Sequence, residues 1–79
     1  MKSQKVAERL GAAIRRRREA LDLSQEAFAD QIEMHRTYYS AIERGEKNLQ
    51  LSTLDRVCVG LGTTIWELFR SAESLKFLD

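Results

Sequence analysis

Of 79 residues, 43% are hydrophobic and 32% charged, enough apolar material for the packed core of one small domain. No apolar run approaches a membrane span, MKSQKVAERL lacks a signal-peptide core, and the lone Cys58 excludes an intramolecular disulfide or a cysteine-based metal cluster, so a cytoplasmic protein is expected. The net charge of +1 argues by itself against strong nucleic-acid binding, yet ten of the 13 Lys/Arg fall in residues 1–49, and Arg15, Arg16, Arg17 and Arg18 crowd a single turn that can form a local basic face.

Val6, Leu10, Ile14 and Leu21, with Ala7 and Ala13 beside them, recur at helical spacing and predict a first helix from about Gln4 to Ala20. Successive residues on a helix rotate by about 100°, so the four arginines cannot share a face. Arg15 and Arg16 should be solvated, Arg17 should lay its stem along the apolar seam, and Arg18 should point toward the next helix pair.

The second helix is predicted over 25–31, with Ser24 as its N-cap, and the third over 36–44, stopped by Gly45. Ala27, Phe28, Ile32, Tyr39 and Ile42 supply their inward positions. Glu33, Met34 and His35 are too few for a free loop, so the third helix must leave at a sharp angle. That is the layout of a helix-turn-helix, whose second helix enters the DNA major groove by its N-terminal end. Here that end reads His35-Arg36-Thr37-Tyr38, with Ser40 and Ala41 one turn on.

A polar loop, Glu46 to Gln50, carries one apolar residue, Leu49, to pin it. Ser52 is expected to cap a fourth helix with Asp55 reaching back; Leu54, Val57, Cys58 and Leu61 form its buried stripe, and Gly62 ends it. Thr64 and Glu67 form a second capping box, opening a fifth helix with Leu68, Phe69, Ala72 and Leu75 on one side. No strand pattern and no proline occur, so the fold class is all-α, five short helices.

The pattern LSQEAFAD…HRTYYSAIERGEKNLQLSTLDRVCVGLGTTIWELF resembles the lambda-repressor-like, Cro/cI-type (XRE) helix-turn-helix domains over about residues 5–70. Within them, HRTYYSAIERGEKN is most similar to the controller proteins of restriction–modification systems. The resemblance implies a stand-alone transcriptional regulator that binds double-stranded DNA as a homodimer on a two-fold symmetric operator and tunes its own gene. It places Arg36, Thr37, Ser40 and Ala41 at base-reading positions, and Ser24, Gln25, His35, Tyr38, Arg44, Lys47 and Asn48 at phosphate-contacting ones. The types fit: arginine suits guanine O6/N7 in a fork, and threonine can donate, accept or touch a thymine methyl. The resemblance also pairs Arg18 with Glu43, joining the first helix to the third and positioning it. Glu33 departs from the pattern, since many relatives place glycine in that turn. The angle of the third helix is therefore where a difference is expected.

Residues 64–79 are expected to serve as the dimerisation element, through Ile65, Trp66, Leu68, Phe69, Ala72 and Leu75. About ten residues follow Phe69, too few for a ligand-binding domain, so the regulator should respond to its own concentration and not to a small-molecule effector. No cofactor is expected. His35 has no second histidine or close cysteine with which to hold a metal, Cys58 reads as a small core residue, and no catalytic arrangement or phosphate loop suggests an enzyme. A patch touching RNA polymerase would fall near Glu19, Asp22 or Glu26, with nothing to single one out. The alternative is an antitoxin-like protein whose helix-turn-helix docks a partner protein. Such a helix would expose apolar anchors where this one exposes polar and basic side chains.

Overall fold

The computed structural model describes residues 3–75, with side chains from residue 5. Its five helices are α1 (Ser3–Ala20), α2 (Gln25–Gln31), α3 (Arg36–Glu43), α4 (Leu51–Leu61) and α5 (Ile65–Ser74). Local chemistry sets most of the ends. The Ser24 hydroxyl accepts the Ala27 N–H at 3.0 Å, Nδ1 of His35 accepts that of Thr37 at 3.2 Å, and Oγ1 of Thr64 accepts that of Glu67 at 3.0 Å. Gly45 and Gly62, with φ of 75° and 72°, take the left-handed conformation that closes α3 and α4.

Two capping expectations are corrected. The cap position of α4 is Gln50, in extended conformation and without a side-chain cap bond; Ser52 lies inside the helix, so it and Asp55 form no capping box. Packing of Leu54, Val57, Cys58 and Leu61 sets the register there. At α5 the Glu67 carboxylate accepts from the Thr63 hydroxyl at 3.1 Å.

Glu33 has φ 56°, so the turn between α2 and α3 keeps the left-handed geometry without the glycine that would relieve it. The strain of about 1 kcal/mol is borne because the turn is pinned on both sides. Glu33 N–H bonds Asp30 O at 3.1 Å and Met34 N–H bonds Ala29 O at 2.8 Å.

The core forms around α1, which packs on α3, α4 and α5. Ile14, Phe28, Tyr39, Val57 and Leu68 are fully buried, with the Phe28 and Tyr39 rings tilted at 5.2 Å between centroids. Gly11 lets α1 approach α3: a Cβ there would stand 2.5 Å from the carbonyl oxygens of Ile42 and Glu43. Val6 and Leu21, expected to face inward, remain partly exposed near the two ends of α1.

The apolar stripe of α5 is mostly consumed by this core. Leu68, Ala72 and Leu75 are buried, which withdraws them from the expected dimer contacts; Trp66 (70% exposed) and Phe69 (38%) remain at the surface, with Ile65 half-buried. Residues 76–79 of the expected dimerisation element lie outside the described residues. Among the described residues, no helix is long and apolar enough to cross a membrane, and no group of three or more His, Cys, Asp or Glu converges as a metal site.

Candidate nucleic-acid interface

Helix α3 has two faces with different chemistry. Its inner face carries Tyr39, Ile42 and Glu43, all buried. The Glu43 carboxylate receives Arg18 Nε at 2.8 Å, Arg18 Nη2 at 3.0 Å and Gln25 Nε2 at 2.9 Å, together with the Tyr39 hydroxyl. Nη1 of Arg18 donates to the Leu23 carbonyl at 2.8 Å. One buried fork thus ties α1, the start of α2 and α3 together. Arg18 is 7% and Glu43 8% exposed, a burial tolerable only because both charges are paired and hydrogen-bonded. Burial alone would push the Glu43 carboxyl up; the bonds from Arg18, Tyr39 and Gln25 outweigh it and hold the group below its ordinary value. Burial and the Glu43 carboxylate push the Tyr39 phenol up, so it stays a donor.

This network places Gln25 differently from a free phosphate ligand. Its amide nitrogen is engaged with Glu43, leaving one side-chain N–H and the carbonyl oxygen uncommitted. The sequence held a signal for the network: tyrosine at an apolar position needs a partner for its hydroxyl.

The outer face presents Arg36 and Thr37, both exposed, at the N-terminal turn of α3. His35 caps that turn through Nδ1, so the proton of its neutral ring sits on Nε2 and can be donated outward. Along the same side runs a shallow depression lined by His35, Thr37, Tyr38, Ala41, Arg44, Glu46 and Lys47. Ala41 is only 6% exposed, in the floor of this depression; its methyl group cannot reach out to a base, which corrects its expected reading role. Ser40 is half-buried and accepts from Arg44 Nη1 at 2.7 Å. Lys47 Nζ lies 5.5 Å from the centre of the Tyr38 ring, a cation–π contact that holds both side chains on this face. Ser24 and Asn48 are exposed near the ends of the helix pair.

Arg44 is not free. Its Nε and Nη2 make a fork with the Glu46 carboxylate at 3.0 and 3.1 Å, a pair that reasoning from the sequence did not single out. The arginine run of α1 is also divided among tasks: Arg15 pairs with Glu19 at 3.1 Å, Arg17 Nη2 donates to Ser71 Oγ at 3.0 Å, and Arg18 enters the buried network.

The helix-turn-helix family matches residues 14–68, which takes in both faces of α3 and the whole buried network. The chain belongs to the helix-turn-helix family of DNA-binding regulators. Its relatives narrow the kind of regulator. This helix-turn-helix protein is 53% identical over 57 residues to control protein C.MunI of Mycoplasma sp., a match covering 72% of this chain and 77% of the relative. To control protein C.SmaI of Serratia marcescens it is 38% identical over 63 residues, covering 80% and 75%. Among solved structures it is similar to the clp gene regulator ClgR from C. glutamicum (TM-score 0.84, 29% identity, 87% of this chain and 88% of that one). It is likewise similar to the restriction–modification controller protein C.Esp1396I, solved as a tetramer in complex with its natural 35 base-pair operator (TM-score 0.78, 26% identity, 87% and 91%).

Proposed function

We propose that this regulator binds a two-fold symmetric operator as a homodimer, works in the cytoplasm without enzymatic activity or a small-molecule effector, and controls its own transcription. The observation that carries the reading is the two-faced α3: a buried fork locks the inner side while Arg36 and Thr37 stand exposed at the groove-entering end. The likeness to a controller protein solved as a tetramer on its operator supports it. Arg36, Thr37 and Ser40 read base edges. Ser24, Gln25, His35, Tyr38, Arg44, Lys47 and Asn48 meet phosphates, with Gln25 offering the amide hydrogen that Glu43 leaves over.

One module makes few base contacts, so specificity calls for two recognition helices about one helical turn of DNA apart. The exposed apolar margin of α5, Trp66 and Phe69 with Ile65, is the proposed seam, and Val6 of α1 lines the same apolar groove as Phe69. Selection of bound duplexes from a random DNA pool tests the reading, with the salt dependence of the winner. A two-fold symmetric site with a steep salt slope is the expected result. No enrichment over random duplex by the folded protein would overturn it and favour a partner protein as the ligand.

A further inference from the structure

The surface assigned to DNA carries a carboxylate that the proposed contacts do not use. Gly45 turns the chain back on itself with φ 75°, and Glu46 N–H bonds the Ala41 carbonyl at 3.0 Å, so the backbone under Glu46 is fixed. The carboxylate meets the Arg44 guanidinium in two parallel bonds of 3.0 and 3.1 Å, while Nη1 is held by Ser40 at 2.7 Å. Each nitrogen of Arg44 makes one bond in the free protein, and the fork formed by Nε and Nη2 is taken by Glu46. The planar two-bond fork is the same geometry by which a guanidinium takes a phosphate.

We propose that Glu46 is an internal stand-in for a DNA phosphate: it occupies the Nε–Nη2 fork of Arg44 in the free protein, must be displaced before a phosphate can take that fork, and thereby sets the concentration at which the operator fills. The proposal rests on the reading that this face binds duplex DNA. While the fork is closed, an approaching phosphate meets a neutral pair at Arg44, and the remaining attraction falls to Arg36 and Lys47. Once the fork opens, Glu46 stands without its arginine beside a polyanion, with Lys47 as the neighbouring cation. Either course weakens binding relative to an uncharged side chain. Both act on the phosphate chain and not on base edges, so the penalty is the same for operator and random DNA. In a regulator that responds to its own abundance, such a residue tunes the threshold without altering the sequence read.

The test uses the full chain and the variants Glu46→Gln, Arg44→Ala and their combination, titrated with the selected operator and a random duplex over a range of salt. Both side chains of the pair are more than half exposed, so the core is untouched, and circular dichroism checks folding. Glu46→Gln should tighten both duplexes about 2- to 5-fold at low salt and steepen the slope of log K against log salt by up to about 0.9, because the parent takes up a cation at the freed carboxylate and the variant does not. Arg44→Ala should cost more when combined with Glu46→Gln than in the parent, because only there is the arginine free. Equal cost in both backgrounds, or an unchanged slope, would overturn the proposal and leave Glu46 a simple repulsive charge. Arg36→Ala separates the two readings. If it weakens binding while Glu46→Gln changes nothing, only the present proposal fails; if the folded parent binds no duplex, the reading of the face fails and carries this one with it.

Discussion

Replacing Glu43 by alanine should nearly unfold the domain. The substitution removes the acceptor of four hydrogen bonds, from Arg18 Nε and Nη2, Gln25 Nε2 and the Tyr39 hydroxyl. It leaves the Arg18 guanidinium buried without its carboxylate, with only the Leu23 carbonyl and the neighbouring Tyr39 hydroxyl beside it. Removing one partner of a buried pair costs about 3–5 kcal/mol. A domain of 79 residues has roughly 4–12 kcal/mol of stability in total, so the loss is a large share of it. Urea unfolding followed by far-UV circular dichroism measures this; Trp66 fluorescence is a poor probe because the indole is already exposed. Replacing the whole cluster by apolar side chains, Arg18→Met with Tyr39→Phe and Glu43→Leu, should recover much of the loss, since no charge is then stranded. The sign of the pH dependence is also determined. The Glu43 carboxyl is held below its ordinary value when folded, so its contribution is present above the unfolded pKa of about 4.3 and is lost as pH falls through the lower folded value. The gap between the parent and Glu43→Gln should therefore narrow as the solution is acidified below about pH 5. A loss under about 1 kcal/mol for Glu43→Ala would refute the reasoning, because an exposed pair would cost no more.

Arg36→Ala should cost about 1–3 kcal/mol of operator binding and relax base preference at one position, while affinity for random duplex falls much less; equal losses on both would show that Arg36 only meets phosphate. Glu33→Gly should raise stability by no more than about 0.5 kcal/mol, the relief of a left-handed residue less the extra entropy glycine loses on folding. The denaturation midpoint decides, and a decrease would mean that the Glu33 side chain contributes more than its backbone costs. Trp66→Glu, at an exposed position, should leave the unfolding midpoint almost unchanged but shift sedimentation from dimer toward monomer; a dimer that persists would place the seam elsewhere.

What the sequence made legible follows from how local each cause is. Ser24 and Thr64 cap the helices they were expected to cap, because a hydroxyl and an N–H three residues on are brought together by the helix itself. The α4 start differs because a serine near a boundary does not say which residue ends the loop; the buried side chains of α4 fix that register. Helical spacing marked Leu68, Phe69, Ala72 and Leu75 as one apolar stripe but could not say whether a second copy or the same chain would cover it. Packing against α1 covers all but Phe69, which lies at the rim. Ala41 was misplaced for a related reason: a short side chain behind the leading edge of α3 has a methyl group below the level of its neighbours. The hydrogen bonds of Gln25 and Glu46 were out of reach, since each depends on a rotamer meeting a group that only the folded chain brings near.

Two arginine–glutamate forks of nearly the same geometry lie at opposite sides of one helix end, and their surroundings give them opposite uses. The Arg18–Glu43 fork, at 2.8 and 3.0 Å, is closed off from water by α1, α2 and α3 and shares its carboxylate with Tyr39 and Gln25. Opening it would strand charges where no solvent can replace the lost bonds, so it stays closed in the folded state and holds the angle of α3. The Arg44–Glu46 fork, at 3.0 and 3.1 Å, lies at the surface, where water takes up each bond as it breaks. Opening it is therefore cheap enough for a phosphate to accomplish. Residues 43 and 46 follow each other within one turn, yet burial alone makes the first carboxylate part of the scaffold and the second part of the binding equilibrium.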